Sequence, residues 1–79
     1  MSIDHLGEQP VYLQLAAILR EMIESGEIAP RNPVPSISTL SQQYAVAKGT
    51  AEKALAVLRA EGLVRTVPGR GVYVIPPNS

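Results

Sequence analysis

Residues 44–58 read Tyr44-Ala45-Val46-Ala47-Lys48-Gly49-Thr50-Ala51-Glu52-Lys53-Ala54-Leu55-Ala56-Val57-Leu58, and the fold turns on how this stretch divides. Ala51, Ala54, Leu55 and Leu58 recur at intervals of three and four, the period of an amphipathic helix. The spacing predicts that this helix ends at Glu61, with Gly62 as its left-handed stop. Upstream, Leu40 and Tyr44 form the inward face of a short helix running from Ser36 to about Gln43. The Ser36 hydroxyl can accept a bond from a free backbone N–H two or three residues on, although Thr39 stands where a full capping box places Glu or Gln. Ala45 to Gly49 remain between the two helices, enough only for a tight turn, and that is the helix-turn-helix spacing. The start of the second helix is locally weak, since Ala47 is a poor cap and Gly49 costs about 1 kcal/mol against Ala in a helix interior.

Beyond Gly62 the period changes. Leu63 to Val67 and Val72 to Ile75 are β-branched runs flanking Pro68-Gly69-Arg70-Gly71, which predicts a hairpin. Toward the N-terminus, Tyr12, Leu15, Ala16, Leu19, Met22 and Ile23 repeat at helical offsets, giving a first helix from about Pro10 to Glu24 that stops at Ser25-Gly26. Pro30, Pro33 and Pro35 mark residues 27–35 as a connector, because each removes a backbone donor and disfavours helix in the residue before it. The expected organisation is a polar lead-in over 1–9, one domain over 10–75 and a short tail over 76–79. Its class is mainly α with a small β-hairpin: three helices and a two-stranded wing, the order of a winged helix-turn-helix.

With 79 residues, 46% of them hydrophobic, the chain can bury one modest core and no second domain. It has no Cys, which removes disulfides, redox thiols and thiolate metal sites. No apolar run approaches the ~20 residues needed to span a bilayer, and residues 1–10 lack the pattern of a signal peptide, so a cytoplasmic protein is expected. Formal net charge is zero. Its distribution is uneven: five acidic residues stand against two basic ones through Pro35, and five basic against two acidic from Ser36 onward. The second half is cationic, as a phosphate-binding surface requires, although so few charges also segregate by chance.

Read together, four ordered motifs resemble the N-terminal DNA-binding domain of GntR-family transcription regulators. Pro10, Val11, Tyr12 and Leu15 are similar to its opening, and Val34, Pro35, Ser36 and Leu40 to its second-helix motif. Tyr44, Val46, Lys48, Thr50, Lys53, Ala54 and Leu55 resemble its turn and recognition helix, and Gly62, Leu63, Val64 with Pro68 to Gly71 its wing. The resemblance runs from about Pro10 to Val74 and implies a sequence-specific regulator, expected to be a repressor, that binds double-stranded operator DNA; a single module with about four basic contacts binds weakly, so a pair of domains on a two-part operator is expected. It also marks departures: Ser38 stands where the family usually carries an Arg directed at the DNA backbone, Ala47 where it carries Ser or Thr, and Glu52 where a basic residue is common. The family normally appends an effector-binding or oligomerisation domain; the sequence stops at Ser79, and a minimal member and a part of a longer regulator are both open at this point.

In such folds the third helix lies in the major groove with its first residues facing base edges, which nominates Lys48, Gly49, Thr50, Glu52 and Lys53. Lys48 can reach a guanine edge or a phosphate, Lys53 a phosphate, and Thr50 a phosphate or a thymine methyl. Gly49 permits close backbone approach. Glu52 either accepts from a cytosine amino group or merely complements the helix N-terminus and pairs with Lys48 one turn back. Arg70, between Gly69 and Gly71, suits a narrow minor groove; the alternative is a solvated turn residue. Ser36 is a further DNA-contact candidate, and Arg65 and Thr66 are secondary phosphate candidates, whereas Arg59 reads as a solvated charge. The three tyrosines fit core packing with a wet hydroxyl.

No catalytic, metal, cofactor or small-molecule site is expected. His5 is a lone imidazole, Ser36 and Ser38 have no base beside them, and the Pro68 to Gly71 turn lacks the Lys and Ser/Thr of a phosphate-cradling loop. Two rivals to the regulator reading remain open at this point: an architectural DNA-binding factor for recombination or plasmid maintenance, and a winged helix used only for protein interaction.

Overall fold

A computed structural model describes residues 3–76 and gives the order α1 (Val11–Glu24), α2 (Ile37–Tyr44), α3 (Lys48–Ala60), β1 (Val64–Val67) and β2 (Gly71–Val74). Pro10 sits outside α1 as its N-cap residue, and its carbonyl accepts from Leu13 and Gln14. Leu15, Ala16, Ile18 and Leu19 form the buried stripe that the helical spacing demands. The lead-in is tied to this helix by Gln14, whose Nε2 donates to the carbonyls of Asp4 and Gln9 while its Oε1 accepts from the Asp4 N–H.

At α2 the Ser36 hydroxyl accepts from the Thr39 N–H at 3.1 Å and donates to Thr39 Oγ1 at 2.9 Å, so Thr39 completes the cap by its own chemistry. The helix runs to Tyr44, and Ala45 closes it in the left-handed region at φ 55°. The turn is shorter than the sequence predicts, because Lys48 and Gly49 already belong to the first turn of α3. Ser41 holds it, donating from Oγ to the Val46 carbonyl at 2.6 Å while its own carbonyl accepts from the Val46 N–H at 3.1 Å.

The three helices enclose one core. Leu15, Leu19, Leu40, Leu55 and Leu58 are fully buried, and Val64 and Val74 of the hairpin close the cluster from below α3. In the hairpin Val64 pairs with Val74, Arg65 with Tyr73, Thr66 with Val72 and Val67 with Gly71. Alternation along the strands then gives the ribbon two faces: Val64, Thr66, Val72 and Val74 look toward α3, and Arg65 and Tyr73 look away.

The connector is more ordered than its prolines imply. Pro33 bridges Tyr73, the N–H groups of Arg31 and Val34 donate to the carbonyls of Val74 and Val72, and the Asn32 carbonyl accepts from Val74. Residues 31–34 thus lie along the free edge of β2. Pro33 costs this edge nothing, since the bonds are made by its neighbours.

Candidate nucleic-acid interface

Seven residues bring α3 back to nearly the same face, so Glu52 and Arg59 share a stripe, and Lys48 one turn ahead of Glu52 extends it. That stripe faces the wing. Glu52 and Arg59 line one side of an open groove, Thr66 and the turn residues Gly69, Arg70 and Gly71 the other. Lys48, Gly49 and Glu52 are exposed, and Thr50 is half-buried. Apart from its chain neighbours and the backbone of its own helical turns, nothing stands within 4 Å of where a Cβ on Gly49 would lie, so packing does not require a glycine there. At the wing the requirement is internal: Gly69 and Gly71 hold φ of 77° and 120°, which suit glycine. Arg70 is carried between them, exposed to solvent, its N–H bonded to the Val67 carbonyl at 3.0 Å.

Of the nominated residues, Glu52, Thr66, Gly69, Arg70 and Gly71 line this groove, and Lys48, Gly49 and Thr50, at the front of α3, do not. Lys53 points to the other flank of α3, with its Nζ 5.5 Å from the centroid of the Tyr12 ring, a cation–π contact to the start of α1. Arg65 lies on the outer face of the wing, away from Thr66. The Ser36 hydroxyl is committed to the α2 cap, leaving only part of its hydrogen-bonding capacity for an external group.

Arg59 is where reading the sequence as a line fell short. Its Nη2 donates to Glu52 Oε1 at 3.1 Å and its Nη1 to Thr66 Oγ1 at 3.2 Å, so it ties the Glu52 face of α3 to the first wing strand. Glu52 is therefore paired with a residue two turns on, whereas Lys48 takes no part in an ion pair among the described residues. The seven-residue interval between Glu52 and Arg59 was the available signal. A second ion pair, Arg20 to Glu61, is bidentate at 2.8 and 2.6 Å and clamps the rear of α3 to α1. The Arg20 bonds hold the Glu61 carboxyl below its ordinary value, and the bond to Glu61 raises the Arg20 guanidinium in turn.

A family profile described as bacterial regulatory proteins, gntR family, matches residues 11–74, from the first helix through the last strand. The chain belongs to the gntR family. Among the relatives of this gntR domain, the HTH-type transcriptional repressor NagR of Bacillus subtilis (strain 168) is 34% identical over 78 residues, which cover 99% of this chain and 32% of NagR. The chain thus spans about a third of that relative's length. Among solved structures, AraR(DBD) in complex with operator ORX1 superposes with a TM-score of 0.83 at 32% identity, covering 94% of this chain and 92% of that one. YtrA from Sulfolobus acidocaldarius, a GntR-family transcription factor, gives 0.86 at 33% identity over 95% of this chain and 79% of its own. The fold is accordingly the winged helix-turn-helix of gntR DNA-binding domains, and the family is one of transcription regulators. No helix among the described residues is long and apolar enough to cross a membrane.

Proposed function

We propose that this domain binds double-stranded operator DNA sequence-specifically and acts in the cytoplasm as a transcriptional repressor, with α3 in the major groove and the wing tip in the adjacent minor groove. The observation that carries this reading is the groove between α3 and the wing, bordered on one side by the Glu52–Arg59 stripe and on the other by an exposed Arg70. Lys48 meets a guanine edge or a phosphate at the front of α3, Gly49 lets the helix backbone approach, and Thr50 makes a phosphate or thymine-methyl contact. Glu52, oriented by Arg59, accepts from a cytosine amino group with its charge partly offset. Lys53, Ser36 and Thr66 add contacts to the sugar-phosphate backbone, and Gly69 and Gly71 shape the turn that carries Arg70 into the minor groove.

A single module with so few cations binds duplex weakly, so two copies act together on a two-part operator. The relatives named as repressors and the AraR domain bound to an operator support the same assignment.

Selection of bound duplexes from a random library tests it, reporting motif and half-site symmetry together. A palindromic or repeated motif is expected. On that duplex Lys48→Ala and Arg70→Ala should each weaken binding by about 1–3 kcal/mol, measured by fluorescence anisotropy. Failure of both substitutions to alter binding at low salt would remove the assigned surface, and failure to enrich any duplex would favour a protein-interaction module instead.

A further inference from the structure

The outer face of the wing holds two cations, Arg31 and Arg65, that do not line the groove beside α3, while Arg70 at the tip borders both surfaces. Arg31, Arg65 and Arg70 line one concave surface together with Tyr73, Ile75 and Pro76. Arg65 arrives there because it is paired with Tyr73 across the hairpin and shares its outward side. Arg31 arrives from a different element, the edge segment beside β2, where its N–H is fixed to the Val74 carbonyl at 3.0 Å.

Two features set this surface apart. The ion pairs among the described residues engage Arg20 and Arg59, and none reaches Arg31, Arg65 or Arg70, so three like charges converge without an internal anion. Arg31 also holds φ 71°, a left-handed conformation in which glycine would be cheaper, and an arginine kept at a strained backbone position directs attention to its side chain.

We infer that the outer wing face is a second phosphate-binding surface, in which Arg31 and Arg65 grip the DNA strand on the far side of the minor groove that receives Arg70. This rests on the proposed placement of the wing tip in a minor groove. A narrow groove is walled by two phosphate strands, and a ribbon entering it offers one face to each. The inner face meets the strand shared with α3. The outer face, with Arg31 and Arg65, meets the other and lengthens the footprint beyond what α3 and the wing tip cover.

The test uses the selected duplex and Arg31→Gly, Arg31→Lys, Arg65→Ala and Lys48→Ala proteins, with affinity measured across a salt series and thermal unfolding in parallel. Loss of one phosphate contact lowers the slope of log K against log salt by about 0.9. Arg31→Gly should show that loss and a several-fold weaker Kd at low salt while its unfolding temperature stays level or rises, since the left-handed strain is relieved. Arg31→Lys should restore the slope, and hydroxyl-radical cleavage should show backbone protections on the far strand that Arg31→Gly and Arg65→Ala lose. An unchanged slope and footprint in both variants, with Lys48→Ala still weakening binding, overturns the outer face and leaves the operator reading intact. Insensitivity of Lys48→Ala as well overturns both. An unchanged slope together with Arg31-dependent binding to a poly-glutamate peptide overturns the DNA assignment in favour of an acidic protein partner.

Discussion

The two ends of α3 are built by opposite rules. At the rear, the Gly62 N–H bonds to the Arg59 carbonyl at 3.0 Å and the Leu63 N–H to the Leu58 carbonyl at 3.1 Å, the paired closure of a Schellman motif, and Arg20 clamps Glu61 from α1. At the front, Ala47 offers no side chain to the free N–H groups, and Lys48 and Gly49 stand exposed with no ion-pair partner for the lysine. Stability is concentrated where the helix meets the core, and the end proposed to meet DNA keeps its backbone donors open. The difference teaches that a recognition helix need not be stable along its whole length, provided the body behind it is fixed.

The strongest way to break this comparison is at the core. Leu58, fully buried at the rear of α3, should cost about 2–5 kcal/mol on Leu58→Ala, a large share of the ~5–15 kcal/mol of a small domain. Lys48→Ala at the exposed front should stay within about 0.5 kcal/mol in the same urea titrations. Equal losses at both positions would show that the front of the helix is as structural as the rear.

Most of this division was legible in the residues. Alternation of three and four at Ala51, Ala54, Leu55 and Leu58 gave the buried stripe, and Ser36 and Gly62 gave the cap and the stop, because each depends on local geometry alone. The edge formed by residues 31–34 was not legible: proline content argues correctly against helix, but pairing to β2 runs through Arg31, Asn32 and Val34 and is settled by tertiary contact. For the same reason the Arg59 link to Thr66 and the cation–π contact of Lys53 lay outside sequence reasoning, whereas the separation of Arg65 from Thr66 onto opposite faces follows from strand alternation and was available in the residues.

Ala47→Ser sharpens the comparison by giving the front of α3 what it lacks. A serine hydroxyl at this N-cap position should accept from an N–H of the first turn and stabilise the domain by about 0.5–1 kcal/mol. The backbone at Ala47 is already extended, at φ −66° and ψ 150°, so no rearrangement is needed. Urea unfolding reads the gain, and a loss of stability would show that the front end is shaped by something other than an absent cap.

The smallest effect concerns the rear clamp and depends on pH. The Glu61 carboxyl is lowered from its ordinary 4.5 first by the hydrogen bonds from Arg20 and then by the charge of that guanidinium, with desolvation opposing. A depressed folded value means that the unfolded chain binds the proton more readily, so the pair's contribution is whole above about 4.5 and fades as pH falls through the lower folded value. Both partners are substantially exposed, so solvent and salt screen the pair and the contribution is small. Glu61→Gln should therefore unfold at a slightly lower temperature than the unaltered domain near neutral pH, and the gap should close in acid and in high salt. A gap that persists under both conditions would assign the rear end of α3 to packing around Leu58 and Leu63 and leave the Arg20 clamp without a measurable share.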